Sequence, residues 1–180
     1  PSPSPSPSPT PTPSPLHPHP FTLALHQACP EHRTEEVKRA IVNGRKFIKS
    51  IQRADGSWYG SWGCCFTYGT WFGVEGLVLA GETPSSPNLQ RACAFLLGKQ
   101  NANGGWGEDF TSCYDKAYAE EGMARYGEGG SGVVNTAWAL LALMAAKSPD
   151  KVAVKRGIEY LQQQQRSNGD WKQASASSQP

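Results

Sequence analysis

The chain has 180 residues, and its 17 Lys and Arg against 15 Asp and Glu leave a net charge of +2 with no basic stripe, which excludes nucleic acid as an expected partner. The longest apolar run, Trp71 to Gly81, is interrupted by Glu75 and is far shorter than the roughly 20 residues of a spanning helix, so no transmembrane segment is expected. Five cysteines without Cys-x-x-Cys spacing argue against a disulfide framework or a zinc ribbon and fit a reducing compartment.

Residues 1–20, PSPSPSPSPTPTPSPLHPHP, hold ten of the fifteen prolines. Each ring fixes φ and removes a backbone donor, so this tract reads as a disordered leader. It has neither the charged nor the apolar region of a secretory signal. Next, Glu35 and Glu36 open a segment in which Val37, Ile41, Gly44, Ile48 and Ile51 recur at intervals of three and four. That spacing predicts an amphipathic helix with one buried face.

The helix runs into QRADGSW, and the same pattern of Gln, Gly and Trp returns in QNANGGW and QRSNGDW. The motif residues are Gln52, Gly56 and Trp58, then Gln100, Gly104 and Trp106, then Gln165, Gly169 and Trp171, with the copies 48 and 65 residues apart. Those periods are in the range of helical-pair repeats. Leu89, Cys93, Leu96 and Leu97 predict an outer helix before the second motif, started by Pro87-Asn88. Val154, Ile158 and Leu161 predict another before the third, started by Ser148-Pro149-Asp150. Between the motifs, GTWFGVEGLVLAG and VVNTAWALLALMAA are apolar on nearly all sides, which predicts inner helices buried on every face in a closed ring. With three outer helices but two inner ones, Trp71 to Ala80 and Val133 to Ala146 are each expected to expose an apolar flank. The fold expected is all-α, part of an α/α barrel, or alpha-alpha toroid, of inner and outer helices. It would occupy residues 21–172, followed by a disordered tail at 173–180.

In each motif the glycine permits a sharp turn, the tryptophan closes against the preceding outer helix, and the glutamine bonds backbone groups of a neighbouring helix end. These nine residues are read as structural staples. Asp55, Asp109 and Asp170, in or beside the turns, and Glu108 and Asp115, in the polar loop GEDFTSCYDKAYAEEGMARYGEGGSG, are read as solvated loop residues.

Together the words DGSWYGSWG, CFTYGTWFG, GGWGEDF, VVNTAWALLAL and NGDW resemble the terpene cyclase/mutase family, in particular the oxidosqualene cyclases, from about Phe21 to Lys172. SIQRADGSWYGSWG with FGVEGL looks closer to cyclases of the plant, cycloartenol-forming type than to the fungal or animal enzymes. The resemblance implies an isomerase that folds 2,3-oxidosqualene in a cavity, protonates the epoxide and closes four rings, with cycloartenol the expected product. It implies neither cofactor nor metal. It also implies a parent enzyme seated on a membrane surface, at the endoplasmic reticulum or on a lipid droplet.

A carbocation migrating along a hydrocarbon needs stabilisation without a base or water nearby. Aromatic faces supply it at roughly 0.5–2 kcal/mol per desolvated contact. The resemblance places Trp62, Cys65, Phe66 and Tyr68 on that cavity wall. The alternative for Phe66 and Tyr68 is core packing at the mouth of an inner helix. Cys64 and Cys65 read as small apolar wall residues, because no histidine after His32 is present to activate a thiol.

The family's proton donor, an aspartate in an Asp-Cys-Thr-Ala-Glu type segment, has no counterpart here, so no catalytic residue is assigned and the chain alone is expected to be inactive. Two other classes share parts of this pattern. One is a non-catalytic helical-repeat module that binds a partner. The other is the zinc-dependent protein prenyltransferase β-subunit, for which Asp109 and Cys113 are candidate ligands. Its required His ligand is missing, since His17, His19, His26 and His32 all precede the repeats.

Overall fold

The computed structural model describes residues 28–29, 31–61, 63–119 and 130–171. The leader at 1–20, the tail at 173–180 and Trp62 lie outside the described residues. Among the described residues six helices occur in chain order: α1 (Thr34–Ser50), α2 (Cys65–Leu79), α3 (Pro87–Gly98), the single turn α4 (Ser112–Asp115), α5 (Val133–Ala145) and α6 (Lys151–Gln164). The short α4 sits inside the segment read from sequence as irregular loop.

The helices form two layers. α2 and α5 make the inner layer and pack most extensively on each other, while α1, α3 and α6 flank them. Proline at the first position of α3 suits a helix start, where the missing N–H has no intrahelical partner. Asp150 caps α6, its Oδ1 accepting from the Ala153 N–H at 2.9 Å. The core between the layers is built from Val74 and Leu77 of α2, Leu89 and Leu96 of α3, Leu140 and Leu143 of α5, and the indoles of Trp58 and Trp106.

The inner helices show the expected apolar flank, and one expectation, on α6, is corrected. The inner helices are not buried on every face: Phe72 and Leu79 on α2, and Val134, Leu141 and Met144 on α5, are exposed. An all-round apolar sequence therefore marks two helices that share one interface and leave an apolar flank outside it. On α6 the buried set is Ala153, Gly157 and Tyr160, and Ile158 is exposed. The buried stripe is the one with small residues, because a Cβ at Gly157 would meet the Trp106 ring at 2.8 Å and the Leu140 side chain at 2.9 Å. Close approach of the helix to the indole centres the face on Gly157, with Val154 and Leu161 partly buried at its edges and Ile158 exposed.

The three motifs fold into superimposable turns. The indole N–H donates to a carbonyl ten residues back in the preceding outer helix: Trp58 to Ile48 at 2.7 Å, Trp106 to Leu96 at 2.6 Å, Trp171 to Leu161 at 3.0 Å. Each glutamine amide donates to the carbonyl of its motif glycine at 2.8–2.9 Å. The second bond of the glutamine reaches the first turn of the next outer helix, from Gln52 to the Asn88 carbonyl at 2.9 Å and from Gln100 to the Ala153 carbonyl at 2.8 Å. The neighbouring helix start is thus gripped through its carbonyls, not through its free N–H groups. Gly56 and Gly104 have φ of 92° and 87°, and a Cβ on either would strike the carbonyl of Arg91 or Arg156, so two separate constraints require glycine there.

Candidate functional site

Along CFTYGTWFGVEGLVL, α2 places Tyr68, Trp71 and Phe72 at spacings of three and four, on one flank of the helix. Gly69 and Gly73 are turned to the first motif, where a Cβ would meet the Trp58 carbonyl at 2.6 Å and the Trp58 ring at 2.4 Å. α5 contributes Trp138 to the same flank. Trp71 stacks on Phe72 at 4.8 Å and on Trp138 at 6.4 Å, with interplanar angles of 22° and 15°. Tyr68 meets Phe72 and Trp138 edge to face at 5.9 and 5.7 Å. Phe72 is 53% exposed, so the four rings form an open apolar face, not a sealed core. Glu75, one turn beyond Trp71, accepts from its indole N–H at 3.3 Å.

Of the four wall residues read from sequence, Tyr68 lies on this face and Trp62 is outside the described residues. Cys65 and Phe66 are buried at the start of α2. Phe66 packs in a second aromatic group with Tyr59 at 5.5 Å and Tyr118 at 6.2 Å, and Phe95 meets Tyr118 at 5.7 Å. Arg53 lies 5.2 Å over the Phe66 ring and Lys99 4.7 Å over Tyr118, so this group already has cations on its faces. Burial first, and the Cys113 thiol second, push the Cys65 thiol up to about 12, which makes it a neutral packing group and not a nucleophile. Sequence reasoning missed Trp71, Phe72 and Trp138. The spacing of the first two from Tyr68 carried the signal, but nothing local ties Trp138 to a helix some 65 residues earlier.

Glu108 and Asp109 are not solvated loop residues. Both are buried, Glu108 completely. Oε1 of Glu108 accepts from the Phe66 N–H at 2.8 Å, and Oε2 accepts from the Thr67 N–H and hydroxyl at 2.7 Å each. These amides are among the free donors at the start of α2, and the positive end of the helix dipole favours an anion there. Burial pushes the Glu108 carboxyl up, and the Phe66 and Thr67 donors pull the other way. Oδ1 of Asp109 accepts from the Thr111 N–H at 2.9 Å, and its Oδ2 has no hydrogen-bond partner among the described residues.

A polar recess of about 290 Å³ opens at the second motif turn, lined in part by Lys99, Gln100, Asn101 and Tyr118. None of the four rings of the aromatic face borders it. Among the described residues no three His, Cys, Asp or Glu side chains are grouped to hold a metal ion, and no helix is long and apolar enough to cross a membrane. All five cysteines are free.

The fold is shared with the type II terpene cyclase MstE from Scytonema, with a TM-score of 0.56 at 23% identity over 84% of this chain and 38% of that one. The squalene-hopene cyclase C-terminal domain model matches residues 22–179, and the chain belongs to that family. It is 54% identical over 153 residues to the cycloartenol synthase of Dictyostelium discoideum, covering 84% of this chain and 21% of that protein. To the lanosterol synthase of Homo sapiens it is 45% identical over 152 residues, covering 82% and 20%. The chain spans about one fifth of the length of the curated relatives it matches.

Proposed function

We propose that this chain is the C-terminal portion of an oxidosqualene cyclase, converting (S)-2,3-oxidosqualene to a tetracyclic sterol precursor, with cycloartenol the product. The observation that carries this reading is the face made by Tyr68, Trp71, Phe72 and Trp138. Four ring faces on one apolar flank present negative quadrupoles to a migrating cation, and the Glu75 carboxylate beside them is engaged by the Trp71 indole N–H. The family membership and the 54% identity to a cycloartenol synthase support the substrate class and the product. Trp62, Cys65, Phe66 and Tyr68 are the wall residues that the family resemblance suggests, and of these Tyr68 belongs to the four-ring face. The apolar substrate also favours a parent enzyme on the surface of the endoplasmic reticulum or a lipid droplet.

A chimera tests this directly. The segment from Phe21 to Lys172 replaces the matching region of the Dictyostelium enzyme, and the purified protein is incubated with labelled 2,3-oxidosqualene. A tetracyclic alcohol is expected from the chimera and none from the 180-residue chain alone, which holds no assigned proton donor. A folded chimera that forms no cyclised product would overturn the proposal and favour a helical-repeat binding module.

A further inference from the structure

We infer that Glu108 is a positioning residue that sets the register of the two inner helices and thereby places the rings of α2 against Trp138 of α5. The geometry is a three-residue strut, Trp106-Gly107-Glu108. At one end, the Trp106 N–H donates to the Thr136 hydroxyl of α5 at 2.9 Å, and the Gly132 N–H at the start of α5 donates to the Trp106 carbonyl at 2.8 Å. The Trp106 indole is fully buried and fixed to the Leu96 carbonyl. At the other end, the Glu108 carboxylate takes the three donors of Phe66 and Thr67 at the start of α2. The Cys64 thiol, at the cap of that helix, adds a contact to the Glu108 carbonyl at 3.0 Å.

Tyr68 follows Thr67 directly, and Trp71 and Phe72 lie one turn further on, so a shift at the strut carries all three rings with it. The first repeat has no such device. Two residues after Trp58 stands Gly60, whose N–H donates to the Cys65 carbonyl at 2.9 Å. A buried carboxylate with no basic partner among the described residues is costly, and a simple helix cap is made as well by an exposed Ser or Asp. A negative end aimed at the helix start from a neighbouring repeat gives what a local cap cannot, which is a fixed distance between two helices.

The positioning of the rings rests on the structure alone; its consequence for product choice rests on the cyclase reading. The test therefore reads the rings first. In the full chain, the circular dichroism lost on Trp138→Phe defines the signal of the stacked Trp71 and Trp138 pair. Glu108→Gln keeps the size of the side chain but opposes an amide N–H to donors, and it is expected to keep its helix content while losing more than half of that pair signal. Asp150→Ala serves as the control, since it uncaps α6 and lowers the melting temperature with no expected change in the pair signal. If Glu108→Gln fails to fold, Thr67→Val, which removes one of the three bonds, decides by the same measurement with a smaller loss. A folded Glu108→Gln or Thr67→Val protein with its pair signal intact overturns the inference, as does an equal loss in Asp150→Ala. In the chimera, Glu108→Gln is expected to shift the ratio of cyclised products by more than twofold. Absence of any turnover in the parent chimera counts against the cyclase reading and leaves the spectroscopic result standing.

Discussion

The second and third motif turns are the same object in different surroundings. Both close with the same internal bonds, Gly104 to Asn101 and Gly169 to Arg166 at 2.9 Å, and both send an indole N–H to the preceding helix. Yet Trp106 is fully buried and Trp171 is 36% exposed. Gln100 adds a bond to α6, whereas Gln165 bonds only its own turn among the described residues. A Cβ at Gly104 would strike the Arg156 carbonyl, and one at Gly169 would meet nothing within 4 Å. The motif is therefore sufficient to shape its own turn, and what a neighbouring helix adds is burial. Local sequence specifies the conformation, and the next repeat supplies most of the stability.

That contrast is sharpest at the tryptophans. Trp106→Ala is expected to cost about 3–5 kcal/mol, as loss of a fully buried indole does, while Trp171→Ala costs about 1 kcal/mol, both read by urea unfolding. Equal losses would mean that the indole acts through its own turn and not through the neighbour. The glycines come next. Both positions hold φ near 87°, so alanine costs roughly 1–2 kcal/mol at either from the left-handed conformation alone. Gly104→Ala adds the clash with the Arg156 carbonyl and is expected to lose at least about 2 kcal/mol more than Gly169→Ala. For the glutamines the difference is one hydrogen bond, so Gln100→Ala is expected to exceed Gln165→Ala by about 1 kcal/mol in the same measurement.

The smallest effect concerns pH, and it sets two joints against each other. Glu82, just after α2, holds Lys49 of α1 at 2.5 Å, with Arg45 at 3.7 Å. The Lys49 ammonium beside it keeps its carboxyl below the ordinary range. Its contribution is therefore present above the usual glutamate range and is lost as pH falls through the lowered folded value. Glu108 is displaced the other way by burial, so folding disfavours its ionised form relative to the unfolded chain, and its contribution declines as pH rises through the folded value. Melting temperature followed from pH 3 to 7 is expected to rise less with pH in Glu82→Gln than in the parent, and more with pH in Glu108→Gln. The opposite order would show that the donors of Phe66 and Thr67 outweigh burial at Glu108.

The parts of this molecule that could be read from sequence are those fixed by local chemistry. The turns were legible because glutamine, glycine and tryptophan each have one task at a set spacing, and the outer helices because their apolar residues repeat every three or four positions. On α6 the period was right, and Val154 and Leu161 pack partly buried against the core, but Ile158 is exposed. The buried centre of the face is Ala153, Gly157 and Tyr160, with Gly157 small enough to let Trp106 approach. Glu108 was misread for a different reason. A carboxylate in a polar loop gives no sign of the helix start 41 residues earlier that it will cap. The aromatic face was half legible, since Tyr68, Trp71 and Phe72 share a helix flank by spacing, whereas Trp138 joins them only through the packing of α5 on α2.

The outward bonds of Gln52 and Gln100 also give the fold an order in time. Gln52 finds its partner carbonyl 36 residues later in the chain, and Gln100 finds its own 53 residues later. On a ribosome adding roughly 5–20 residues per second, each turn therefore waits about 2–10 s with its inter-repeat donor bonded to water. A growing chain is always one helix behind in closing what it has already made, and during that interval the face that will receive the next helix is open to chaperones and to neighbouring nascent chains.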